Sequence, residues 1–390
     1  MEEIKKIVEE IYEDVVSIRR KIHQHPELAF CEVKTSAFIC DYLEKLGIPY
    51  KKNIAKTGVV GFIDRGADKT LLIRADMDAL PMQEESDISF KSKNEGIMHA
   101  CGHDAHVAML LGCGAVLSRL KDHLSCNIKL LFQPAEEGVG GALPMIEEGV
   151  MENPRVDAAI GAHVSNSVPV GSVLVKDREF MAAPDDFDLV IHGRGGHGAL
   201  PHSCIDPIAI AIQIITAWNI LSARYTTPLE KHVISTNMFH AGTTYNIIPD
   251  DAVIRGTVRT FDYELRHKLA KEMEQVAHRI AEAFGATCDF NFIFRYPPLI
   301  NDQAMTDAFR KSAAEVLGAD CIVEGEDPSM GGEDFAYFAE RVPATFIYVG
   351  TGNETEGITM PWHSSNFMID ENGMKSGIMT MCQFALNFGK

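Results

Sequence analysis

The chain is short of positive charge: 36 Lys plus Arg face 55 Asp plus Glu among 390 residues, a formal net charge of −19. That balance argues against a nucleic-acid or anionic-membrane partner and favours a small polar ligand or another protein. Cys-x-x-Cys pairs are also lacking. The nine cysteines, at 31, 40, 101, 113, 126, 204, 288, 321 and 382, are odd in number and scattered, so they are not a disulfide framework. No apolar run approaches the ~20 residues that span a bilayer. The opening Met1-Glu2-Glu3-Ile4-Lys5-Lys6 is acidic and amphipathic, unlike a signal or transit peptide. Repeats and low-complexity stretches are missing too. These deficits predict a reduced, soluble, cytoplasmic protein.

What is present is apolar content of 46 %, enough for at least one sizeable core, in a chain long enough for two domains. Ile4, Ile7, Val8, Ile11, Val15, Ile18 and Ile22 recur at steps of three and four, predicting a helix over 2–22 that His25-Pro26-Glu27 closes. A second helix is expected at 33–46. Short apolar runs at 59–63 and 70–75 read as strands, the latter buried on both faces. Helix 104–120, strand 127–133, helix 141–149 and strand 156–163 then alternate, the pattern of an α/β fold with a mixed, largely parallel sheet flanked by helices. From about 182 the order becomes strand, helix (206–224), strands (231–240 and 251–261), helix (263–284), strand (287–294). That βαββαβ order predicts an inserted α+β ferredoxin-like domain at 182–295. It would interrupt a discontinuous domain of 1–181 and 296–390, whose pattern resumes with helix 302–317.

Ligands in such sheets bind beyond the carboxyl ends of the strands. Asp76 and Asp78, Glu136 and Glu137, and His163 each follow an apolar run, so they are expected to share one site. Met98-His99-Ala100-Cys101-Gly102-His103-Asp104 sets a thiol and an imidazole two residues apart, able to grip one ion if the backbone is extended. Of the pair Glu136-Glu137, one carboxylate can ligate while the other handles protons. The expected ligand set is Cys101, His103, Glu137, His163 and the late His363, with Asp76 and Asp78 placed to accept a ligand histidine's distal N–H. His106, one turn after His103, is read as exposed or packed in preference to a supporting partner of a ligand. The loop Gly193-Arg194-Gly195-Gly196-His197-Gly198 loosely imitates a dinucleotide cradle, but no acidic residue about twenty positions on completes that fingerprint.

Six linked segments resemble the hippurate hydrolase and N-acyl-amino-acid amidohydrolase branch of the aminoacylase/carboxypeptidase metallohydrolase superfamily. They are Arg74 to Pro81, Met98 to His106, Phe132 to Gly138, Gly193 to Gly198, Asn246-Ile247-Ile248-Pro249 and Gly332-Glu333-Asp334-Phe335, in matching order over nearly the whole chain. The resemblance implies two divalent ions (Mn, Zn, Co or Ni) held by Cys101, His103, Glu137, His163 and His363, with Glu136 as the base that activates a metal-bound water. It makes His197 a candidate to polarise the scissile carbonyl, reaching a neighbouring subunit's site, and Asn246 and Arg259 candidates for the substrate carboxylate or the oxyanion. The inserted domain would be a lid and dimerisation module, and the protein a homodimer or homotetramer. Relatives in the wider superfamily use a His-x-Asp strand end and an aspartate bridge. Here the stretch is Asp76-Met77-Asp78, and Cys101 stands near the bridge position. The implied reaction is hydrolysis of N-acetyl or N-benzoyl amino acids to a carboxylate and a free amino acid. A carboxypeptidase or dipeptidase would use the same site, and a non-catalytic ligand-binding protein would need to have lost one of these groups.

Overall fold

A computed structural model describes residues 2–138 and 140–390. The chain forms two compact units, Met1–Phe180 with Ile300–Asp327 and Asp334–Lys390, and Met181–Leu299 with Pro328–Glu333.

The first unit is built on an eight-stranded sheet. Its order is Tyr50–Ile54, Gly58–Ile63, Asn127–Gln133, Thr70–Asp76, Ala158–Pro169, Ala344–Gly352, Val173–Val175 and Ile322–Glu324. The four central strands run parallel, while Tyr50–Ile54 and Gly58–Ile63 add antiparallel at one side. Thr70–Asp76, Asn127–Gln133 and Ala344–Gly352 are buried along their whole length, because helices cover both faces of a parallel sheet and leave no polar side. Helix His103–Arg119 packs on the sheet and against the amphipathic helix Glu2–His23 and the helix Gly373–Asn387. Nearly all its residues are buried, so it is apolar on every face rather than along one stripe.

Three details differ from the sequence-based expectation. The strand holding His163 runs on to Pro169, so His163 lies within a strand, opposite Tyr348, rather than at its end. Cys101-Gly102-His103 is not extended: Gly102 is left-handed (φ 90°) and His103 opens a helix. And Pro328–Glu333 groups with the second unit.

The second unit carries a four-stranded antiparallel sheet ordered His232–Ala241, Asp251–Thr260, Ala183–His192 and Thr287–Ile293. Helices Pro207–Arg224 and Tyr263–Ala283 complete the βαββαβ chain order. Asp206 caps the first through the N–H groups of Ile208 and Ala209, with Pro207 at the opening turn, and Asp262 caps the second through Leu265. Phe187, Leu189 and Ile191 alternate inward to meet Ile214, Trp218 and Met273. Pro207–Arg224, at 18 residues and mean hydropathy 1.2, is the one helix among the described residues with the length and apolarity to cross a membrane by composition. Ile210, Ile214, Trp218 and Leu221 on its inner face belong to this unit's core.

Candidate metal centre

Beyond the carboxyl ends of the central strands of the first unit, five chain segments converge. Gly102 makes the first convergence possible. Its left-handed backbone turns the chain between Cys101 and His103, and a Cβ there would meet Val164 Cγ2 at 2.4 Å. Gly102→Ala is therefore expected to cost about 1–3 kcal/mol in strain and to weaken metal binding, read by thermal unfolding and metal titration. Retention of both stability and affinity would show that this turn is not needed. A backbone bond from His363 N–H to Ala100 O, 2.9 Å, brings the late histidine beside Cys101. His363 itself is left-handed at φ 62°, a conformation that a non-glycine residue adopts at a cost.

The hydrogen bonds fix which ring nitrogens are offered. His103 Nδ1 donates to Asp78 O at 2.9 Å, leaving Nε2 buried without a hydrogen-bond partner among the described residues. His163 Nδ1 donates to Val164 O at 2.8 Å, and its Nε2 lies 3.3 Å from Cys101 Sγ. Both rings thus turn Nε2 inward, the orientation of ligand histidines held through their other ring nitrogen. His106 is spent differently. Its Nε2 accepts the Val164 N–H at 2.9 Å, so Nδ1 carries the proton and donates to Asp76 Oδ1 at 2.5 Å. It is buried and anchors the strand that bears His163.

Asp76 joins that network to Arg74. The guanidinium, fully buried, donates to Asp76 Oδ2 at 2.7 Å, Asp334 Oδ1 at 2.9 Å and Gln133 Oε1 at 2.9 Å. Asp78, placed by sequence beside a histidine ligand, gives His103 its backbone carbonyl, while its carboxylate accepts the Glu136 and Glu137 N–H groups, each at 3.0 Å.

Ligand atoms of Cys101, His103 and His163 lie within 4.8 Å of one another, as do those of Cys101, Glu137 and His363, and those of His103, Glu136 and Glu137. Cys101 belongs to the first two groups. Glu137 Oε1 is 3.2 Å from His363 Nε2. Charge also favours a cation. Burial disfavours the charged form of His103, but Asp76, Asp78 and Glu137 outweigh it and lift the imidazole to about 10. Burial, then Glu137 and Glu136, push the Cys101 thiol well up. Burial, helped by His106, holds His163 neutral, the form that binds metal. A surplus of carboxylate charge around a buried imidazole nitrogen that makes no hydrogen bond fits divalent ions.

Residues 72–387 match the family model described as peptidase family M20/M25/M40. The chain belongs to that family. This M20 chain is 44 % identical over 394 residues to thermostable carboxypeptidase 1 of Saccharolobus solfataricus, covering 100 % of this chain and 98 % of the relative. It is 45 % identical over 302 residues to the N-acyl-L-amino acid amidohydrolase of Geobacillus stearothermophilus, covering 77 % and 81 %. Its structure is similar to that of a dinuclear metal-binding M20 peptidase from Bacillus subtilis, with TM-score 0.85, 36 % identity and 97 % and 98 % of the two chains covered. The M20 chain is a hydrolytic enzyme.

In the second unit of this M20 enzyme, His197 and Asn246 are neighbours: Gly196–His197 pairs with Ile247–Ile248, and Gly198 N–H donates to Asn246 O at 2.8 Å. Both side chains are exposed. Arg259 is not on that two-stranded pair but half-buried on the strand Asp251–Thr260, opposite Val233 and Pro184. Sequence reasoning passed over Arg74 and Gln133 as individual residues, although both lie inside the segments that carry the resemblance. An arginine within a wholly apolar run was the available signal.

Proposed function

We propose that the chain hydrolyses the amide bond of N-acyl amino acids with two divalent ions, one held by Cys101, His103 and His163 and the other by Cys101, Glu137 and His363. The position of Cys101 in both groups carries this reading, since its thiolate lies within reach of both sets and would help to hold both ions. Thiolate, imidazole and carboxylate together suit Zn, Mn, Co or Ni. Bound there, the ions would polarise the amide carbonyl and acidify a water.

The rest falls to the chain. Glu136, 7 % exposed, lies within 4.8 Å of His103 and Glu137, close enough to take a proton from that water and return it to the leaving amine. His197, reaching a neighbouring subunit's site, polarises the substrate's carbonyl, and Asn246 and Arg259 donate to the substrate carboxylate or the oxyanion. The 182–295 insert acts as a lid and dimerisation module. The strand His232–Ala241, at the end of its sheet with Met238 and Phe239 exposed, offers the edge for a homodimer.

Cys101→Ser tests that shared role. Occupancy of both ions is expected to fall, read by metal analysis after dialysis. Retention of both would remove the sulfur from the centre, and loss of one alone would make it a terminal ligand. The similarity to a thermostable carboxypeptidase supports a second reading, in which the acyl group is itself an amino acid or peptide. Rates on N-acetyl amino acids and on dipeptides, measured side by side after loading with each metal, separate the two.

A further inference from the structure

The two glutamates of the centre leave the sheet through a strained turn. Ala135, directly before them, is left-handed at φ 54°, where an L-residue with a Cβ sits only if its surroundings hold it. Three successive N–H groups there end on carboxylates: Ala135 on Glu32 Oε1 at 2.9 Å, Glu136 on Asp78 Oδ1 and Glu137 on Asp78 Oδ2, each at 3.0 Å. Gly140 N–H closes the loop on Ala135 O at 2.9 Å.

Glu32 is far from the turn in sequence and wholly buried, at 0 % exposure. Its Oε1 also accepts the Phe30 N–H at 3.0 Å, and its Oε2 accepts from Thr57 Oγ1 at 2.6 Å. Phe30 is itself left-handed, at φ 59°. One carboxylate oxygen therefore secures two strained backbones, and the hydroxyl on the other oxygen fixes its direction. None of these contacts involves a metal-ligating atom. A buried carboxylate held by charge-assisted bonds is costly unless the bonds are worth more than its desolvation. Here they hold the conformation that aims Glu136 and Glu137.

We propose that Glu32 is a positioning residue for the reaction, holding Ala135 left-handed so that Glu136 and Glu137 project together into the metal centre. The proposal rests on Glu136 as base and Glu137 as ligand. Release of Ala135 toward negative φ would swing the following peptide, and misplacement by about 1 Å is worth up to about 100-fold in rate.

The test uses the full-length, metal-saturated enzyme with N-acetylmethionine as probe, reading kcat, KM and metal content for Glu32→Ala, Glu32→Gln and Glu32→Asp. Glu32→Ala is expected to lose about 10- to 100-fold in kcat with KM near that of the parent. Glu32→Gln, whose amide oxygen can still accept from Ala135, should recover most of it. Glu32→Asp, one methylene shorter, should not. Parental kcat in Glu32→Ala, or a glutamine variant no faster than the alanine variant, would overturn the proposal. If Glu32→Ala does not fold, the Gln and Asp variants decide: fast Gln with slow Asp supports it, and equal rates overturn it. Glu136→Gln is assayed in parallel. Turnover there would sink the base assignment, whereas an unaffected Glu32 series beside an inactive Glu136→Gln removes the positioning role alone.

Discussion

Glu136→Gln is expected to lower kcat by about 100- to 10,000-fold while leaving metal content unchanged. The substitution is isosteric, and the backbone N–H that Asp78 holds is untouched, so the turn and its neighbour Glu137 stay in place. Only the capacity to take and return a proton is lost. Glu137, not Glu136, shares a group with Cys101 and His363, which is why occupancy should survive. Steady-state rates on an N-acetyl amino acid with metal analysis of the same sample make the check. Near-parental turnover would move the base to another residue, and loss of metal would make Glu136 a ligand.

The second large effect is on stability. Arg74→Met is expected to destabilise the first unit by about 3–5 kcal/mol. Methionine fills much of the arginine's volume, but it leaves Asp76 and Asp334, both wholly buried, without the cation that faces them. Asp76 shows what is at stake. Burial would raise its pKa, yet His103, His106 and Arg74 together hold it well below the usual carboxylate range. Asp334 keeps Gln133 Nε2 and the Ala142 N–H, so its share of the loss should be smaller than that of Asp76. Denaturant unfolding against the parent measures the change. A difference below about 0.5 kcal/mol, the range of ordinary surface substitutions, would mean that the histidines alone suffice.

Much of this architecture is legible in the residues because burial on both faces leaves short apolar runs, as at Leu71-Leu72-Ile73 and Leu130-Leu131-Phe132. The caps Asp206 and Asp262 likewise mark helix starts. What stays hidden is spatial. Chain order does not reveal strand order, so nothing announces that Ala344–Gly352 lies at the sheet's centre beside the His163 strand. Gly350 and Gly352 in that strand resemble a terminating turn, yet a Cβ at either would meet a carbonyl oxygen, of Pro169 at 2.0 Å or of Asn166 at 2.1 Å. Helix Gly373–Asn387 is buried on nearly all sides and so shows no single apolar stripe. Among the site residues, Cys101, His103, Glu137, His163 and His363 stand out by type and setting. Glu32 does not, because a lone glutamate before a helix reads as a first-turn acid and its partners Thr57 and Ala135 are distant in sequence.

The placement of Ala344–Gly352 also bears on how the molecule is made. It fills the position between Ala158–Pro169 and Val173–Val175, and more than 170 residues of synthesis separate it from the strand that it completes. While the second unit emerges from the ribosome, the His163 strand has a partner on one side only, and its other edge is a long template for mispairing, apolar over Ala158 to Ala162. The exposed edge closes only when Phe346-Ile347-Tyr348-Val349 arrives, and His363 follows it. A nascent chain arrested before that point should be aggregation-prone and a chaperone client, and it should acquire no metal, so ion loading becomes the last event in the birth of the enzyme.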